Sequence, residues 1–72
     1  MRGILLRAIE SQTPIEIIYL SKDGSITQRK LRVLAIIDHQ IKAFCFSSNK
    51  YRVFNLLNIL SVSPVRKRYR DA

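Results

Sequence analysis

Tryptophan is absent from this 72-residue chain, cysteine and histidine occur once each, and glycine and proline twice each. The single Cys45 closes no internal disulfide, and with His39 beside it the chain still falls short of the four ligands of a structural zinc site, so neither metal nor cofactor is expected. A lone thiol suits a reducing, cytoplasmic compartment. Two glycines, Gly3 and Gly24, cannot build a glycine-rich phosphate loop. The longest uninterrupted apolar run, Val33 to Ile37, is far below the roughly 18 residues that span a bilayer, and Arg7 interrupts the N-terminal apolar stretch. Neither a membrane segment nor a signal peptide is expected. Acidic residues are scarce as well: the five Asp and Glu are scattered, and no close pair falls on one face. Nucleophilic chemistry would need a base beside a Ser or Cys, and the only histidine, His39, sits in a predicted turn among ordinary turn residues. With no positioned acid, base or nucleophile to name, an enzyme is not expected.

Positive charge is what the chain has in excess. Thirteen Lys and Arg against five Asp and Glu give a net charge of +8, a field that attracts phosphates. Solubility alone, or an acidic protein partner, would account for the same imbalance. A chain of this size holds one domain and buries only about 60% of its unfolded surface. One small core is therefore expected, over residues 1–66, with a basic tail at 67–72.

The elements follow from periodicity. Ile4, Leu5, Ala8 and Ile9 recur at helical spacing, which predicts a short amphipathic helix over Arg2 to Ser11, stopped before Pro14. A helix this short is unstable alone, so its apolar face must dock, as a lid, on the remainder of the domain. Ile15 to Leu20, nearly all β-branched or aromatic, reads as a strand covered on both faces. Asp23-Gly24 supplies a tight hairpin turn. Ile26 to Ile37 is a long strand whose pattern changes midway, the mark of a bend or bulge. Ile41 to Phe46 and Lys50 to Asn55 make two further strands, Leu56 to Leu60 a single helical turn, and Ser61 to about Arg66 the closing strand, with Pro64 at an edge or bulge. The fold class is thus mainly β (α+β), and five short strands close most economically into a small barrel.

Candidate binding residues come from strand alternation. Lys30 and Arg32 share one side of the second strand, while Arg29 is in step with Thr27 and Leu31. Lys42 shares a face with Phe44 and Phe46, and Arg52 with Phe54. Cations beside aromatics on a sheet can hold single-stranded nucleic acid, the bases stacking and the phosphates pairing. The same spacing fits aromatics that are simply core, with Lys and Arg snorkelling around them. At the C-terminus Arg66, Lys67, Arg68 and Arg70, with Tyr69 among them, make either an accessory binding arm or a solubilising tail. Cys45, on the more apolar face of its strand, reads as a buried inert thiol in preference to a redox sensor, and His39 as a solvated turn residue.

The order of these segments resembles the WYL domain of bacterial regulators. Ile15, Ile17 and Tyr19 match its I-x-I-x-Y, and Arg32 the end of its basic strand, with Val33 where the family has proline. Ala43, Phe44 and Cys45 match A-Y-C, Arg52, Val53 and Phe54 match R-x-F, and Leu56 and Ile59 are what remains of the motif's tail. Where the family carries W-Y-L this chain has His39, Gln40 and Ile41, and Leu57 and Asn58 replace the aspartate and second arginine of R-L-D-R. The resemblance implies an Sm-like barrel, common in transcription regulation, that senses a nucleotide or nucleic-acid ligand. Arg32, Arg52 and Tyr19 remain of the family's ligand-facing surface, and Lys30 and Lys42 add phosphate-binding charge. The partner so implied is single-stranded DNA or RNA or a nucleotide. A protein-interaction module that modulates a transcription regulator, or a homodimer formed through a sheet edge, fits the lost aromatics.

Overall fold

The computed structural model describes residues 2–65. One helix, α1 (Arg2–Ser11), precedes five strands: β1 (Ile15–Leu20), β2 (Ile26–Ile37), β3 (Gln40–Cys45), β4 (Lys50–Asn55) and β5 (Ile59–Pro64), with a 3-10 turn at Leu56–Asn58 between the last two. The strands form one antiparallel sheet in the order β4-β3-β2-β1-β5.

Local chemistry sets the ends of these elements. Helix α1 stops in a Schellman-type cap: Gln12 takes φ 57°, its N–H donates to Ile9 O at 3.3 Å, and Thr13 N–H donates to Ala8 O at 3.1 Å. The chain thus leaves the helix before Pro14 can act. The β1–β2 hairpin turns at Asp23-Gly24, as the sequence predicts. Ser21 N–H donates to Ser25 O at 2.8 Å and Gly24 N–H to Ser21 O at 2.9 Å, leaving a three-residue loop with Gly24 alone left-handed at φ 88°. Asp23 accepts from both the N–H and the hydroxyl of Ser25, at 3.0 and 2.7 Å, and these bonds hold its carboxyl below the usual 3.8.

The core lies on one face of the sheet. Ile15, Ile17, Leu31, Ile41 and Cys45 are fully enclosed, with Val33, Ala43, Phe54 and Ile59 around them. All occupy in-phase positions of paired strands: Ile15 faces Leu31, Leu31 faces Cys45, and Ile41 faces Phe54. Helix α1 packs against β2 and β5, burying Leu5 and Ala8. The change of pattern in β2 is a bulge, since the register with β3 slips between Val33 and Ala35; a second slip in the β1–β5 pairing falls between Ile18 and Tyr19. Bulges bend strands, and this sheet is bent strongly. Three strand spacings separate β1 from β4, about 14 Å in a flat sheet. Yet the rings of Tyr19 on β1 and Phe54 on β4 meet at 5.0 Å between centroids, and Asn55 N–H donates to Tyr19 Oη at 3.3 Å.

The barrel expectation needs correction. Among the described residues β4 pairs only with β3 and β5 only with β1, so the sheet curls without closing. The three residues of the 3-10 turn separate the two outer strands, and side chains rather than a hydrogen-bond ladder bridge the curl. Two strands also shift: β3 lies one residue earlier than Ile41 to Phe46, which leaves Phe46 in the following turn, and β5 starts two residues before Ser61. Strand β3 begins at Gln40 because that residue pairs with Ile37 across a two-residue turn, and β5 begins at Ile59 as soon as the 3-10 turn ends.

Candidate functional site

The expected binding residues do not form one surface. The sheet sorts them onto opposite faces, two inside the curl and three outside it.

Inside, beyond the end of the core, Tyr19, Lys22, Arg29, Arg52, Phe54 and Asn58 border a concavity with a volume of about 510 Å³. Among the described residues no carboxylate lines it. Tyr19 is held edge-on to Phe54, with an interplanar angle of 81°, and its hydroxyl is tied to the end of β4. Arg29 is fixed from two sides: its Nε donates to Thr27 Oγ1 at 3.2 Å, and its guanidinium carbon lies 5.7 Å from the centre of the Phe54 ring. Such a cation over an aromatic face is held by the ring quadrupole. Arg52 is exposed on β4, in step with Phe54. This arrangement can offer planar, multidentate donors to a phosphate beside an aromatic edge. Gln40 and Asn58, two of the positions at which the chain departs from W-Y-L and R-L-D-R, line the same concavity.

Arg29 was not among the expected ligands. The signal was present in its phase: a cation in step with the buried Leu31 and facing Ile17 on β1 has to point inward. Behind it lies Cys45, fully buried as expected, its Sγ 3.3 Å from Ser47 Oγ. Burial pushes the Cys45 thiol up, but the hydrogen bond with Ser47 and the nearby polar groups of Ser48 and Arg29 outweigh that effect and lower its pKa to about 6. His39 is exposed in the β2–β3 turn.

Outside the curl, Lys30, Arg32 and Lys42 are exposed and accompany Phe44, Phe46 and Tyr51. Arg32 faces Phe44, which faces Tyr51, so the three make one cross-strand row. These cations cannot join Tyr19 and Arg52, because alternate residues of a strand point to opposite sides of the sheet. The basic positions Arg66, Lys67, Arg68 and Arg70 lie outside the described residues, as does Tyr69. Among the described residues no group of three or more His, Cys, Asp or Glu is placed to hold a metal ion, and no helix is long and apolar enough to cross a membrane.

No family model matches the chain, and no curated protein does. Among solved structures it is similar to proteasome accessory factor B/C (PafBC) of Arthrobacter aurescens, with a TM-score of 0.76 and 24% sequence identity. The likeness covers 88% of this chain and 11% of that one. At this identity the likeness is one of fold: a helix followed by a curled five-stranded sheet occurs as a small part of a much longer protein.

Proposed function

We propose that the chain is a non-enzymatic, WYL-like regulatory module that binds a phosphate-bearing ligand, single-stranded nucleic acid or a nucleotide, in the concavity inside the curl. The observation that carries this reading is that Arg29, Arg52, Lys22 and Tyr19 line one concavity to which no carboxylate among the described residues contributes. Arg52 and Arg29 hold the phosphate, and Tyr19 hydrogen-bonds or stacks. The fold shared with a segment of proteasome accessory factor B/C supports an accessory, binding role. Lys30, Arg32 and Lys42, on the other face, contribute to this site only through the long-range field.

Titration of a fluorescent nucleoside triphosphate tests the proposal. Arg52→Ala and Arg29→Ala should each weaken binding by about 10-fold or more, the usual effect of losing a hydrogen bond to a charged group. Binding equal to wild type in both variants would overturn it.

A second reading rests on the unpaired outer strands. Strands β4 and β5 each have one partner among the described residues, so either can template a further strand from another protein or from a second copy. Lys50 and Arg52 on β4 and Pro64 on β5 are the kind of residues that blunt such edges, which leaves this reading second.

A further inference from the structure

The outer face of the sheet carries an aromatic strip that the concave site does not use. Phe44 lies at its centre, with Phe46 at 5.6 Å and Tyr51 at 5.1 Å between ring centroids, both near-perpendicular to it at 74° and 72°. These are not core residues at their margins: Tyr51 is 66% exposed and Phe46 45%. Cations border the strip on two sides. Arg32 ends the row through Phe44 and Tyr51, and Lys42 follows Phe44 on the same side of β3. Lys30 stands beside Phe46, whose N–H donates to Lys30 O at 3.1 Å. Among the described residues the carboxylate on this face is Glu16, which stands opposite Lys30 in the strand register, and neither Arg32 nor Lys42 faces a carboxylate in its row.

We propose that this outer face is a second binding surface, independent of the concave site, on which a single-stranded nucleic acid lies with bases stacked on Tyr51 and Phe46 and phosphates held by Arg32 and Lys42. Charge selects this occupant. A purely apolar partner would leave Arg32 and Lys42 buried and unpaired, which is costly, whereas a strand of alternating π-faces and phosphates satisfies both halves of the surface. Neighbouring positions on one side of β3 are about 6.8 Å apart, and neighbouring strands about 4.8 Å, so two or three bases can be engaged together, as on other sheet platforms.

The test is an anisotropy titration of a labelled eight-nucleotide oligothymidylate with the full chain and with Tyr51→Leu, Phe46→Leu, Tyr51→Phe and Lys42→Glu. The leucine variants keep apolar bulk at exposed positions, Tyr51 on β4 and Phe46 in the turn after β3, and remove the π-face. Each should weaken strand binding by about 5-fold or more, while Tyr51→Phe retains it. Lys42→Glu should weaken it as well, and the nucleoside triphosphate should bind all four variants like wild type. Strand binding unchanged in both leucine variants but lost in Arg52→Ala would overturn the proposal and place the strand inside the curl. A wild-type dimer that binds no strand and that Tyr51→Leu dissociates would also overturn it, assigning the strip to self-association.

Discussion

Left-handed backbone at single residues decides where several elements stop. Gln12, Gly24, Asp38 and Asn49 adopt φ values of 57°, 88°, 54° and 57°, at the end of α1 and in the three hairpin loops. Only one of the four is glycine, for which such a φ carries no steric penalty; an L side chain there costs about 1–2 kcal/mol. Space is not the obstacle at Gly24, since a Cβ there would meet nothing within 4 Å. Gly24→Ala should therefore destabilise the protein by about 1 kcal/mol through backbone strain alone. Gln12→Gly, at the left-handed position of the helix cap, should shift stability the other way by about 0.5–1 kcal/mol. Urea denaturation midpoints read both, and a change of the same sign in the two variants would refute the conformational account. The Asp23-Gly24 pair announced the turn, but whether one or both residues would take positive φ was settled by the Ser21–Ser25 pairing on either side.

Among the elements, α1 depends most on the others. It is ten residues long, too short to hold its own hydrogen bonds in water, and Leu5 is its fully buried anchor. Leu5→Ala should cost about 2–5 kcal/mol, a large share of the roughly 5–15 kcal/mol that holds a small domain together. Leu6→Ala, at a residue 50% exposed, should change stability by only about 0.5 kcal/mol. Equal losses in thermal or urea unfolding would mean that the helix is docked by another face. Helix α1, β1, β2 and β4 were legible in the sequence to the residue, because their hydrophobic periods and flanking turn residues agree. The limits of β3 and β5 were not, because a short turn passes directly into the next ladder and pairing, not local preference, decides where a strand begins.

For the whole molecule, the governing feature is the curl. It turns one sheet with cations on both faces into an open concavity holding Arg29 and Arg52 and an outer aromatic strip. The net charge of +8 surrounds both, so salt dependence separates general attraction from a seated ligand. If Arg32 and Lys42 each neutralise one phosphate, strand affinity should fall with salt at a logarithmic slope of about −1.4. Arg32→Ala should flatten that slope by about 0.7, read from anisotropy titrations over a salt series. A steeper slope that no single substitution alters would assign the binding to the diffuse field.

The sequence by itself determined the side of the sheet on which each strand residue stands, because alternation is a property of the backbone: Lys30 and Arg32 were separated from Arg29 before any fold was known. It determined the helix, the bent second strand and the absence of a glycine-rich phosphate loop for the same local reasons. Only the tertiary structure decided that the curl stops short of a closed barrel, and that Tyr19 meets a residue 36 positions away to complete the concavity with Arg29 and Phe54. Curvature is set by two bulges and by contacts between strands that are not neighbours in the sheet, and neither leaves a periodic trace along the chain.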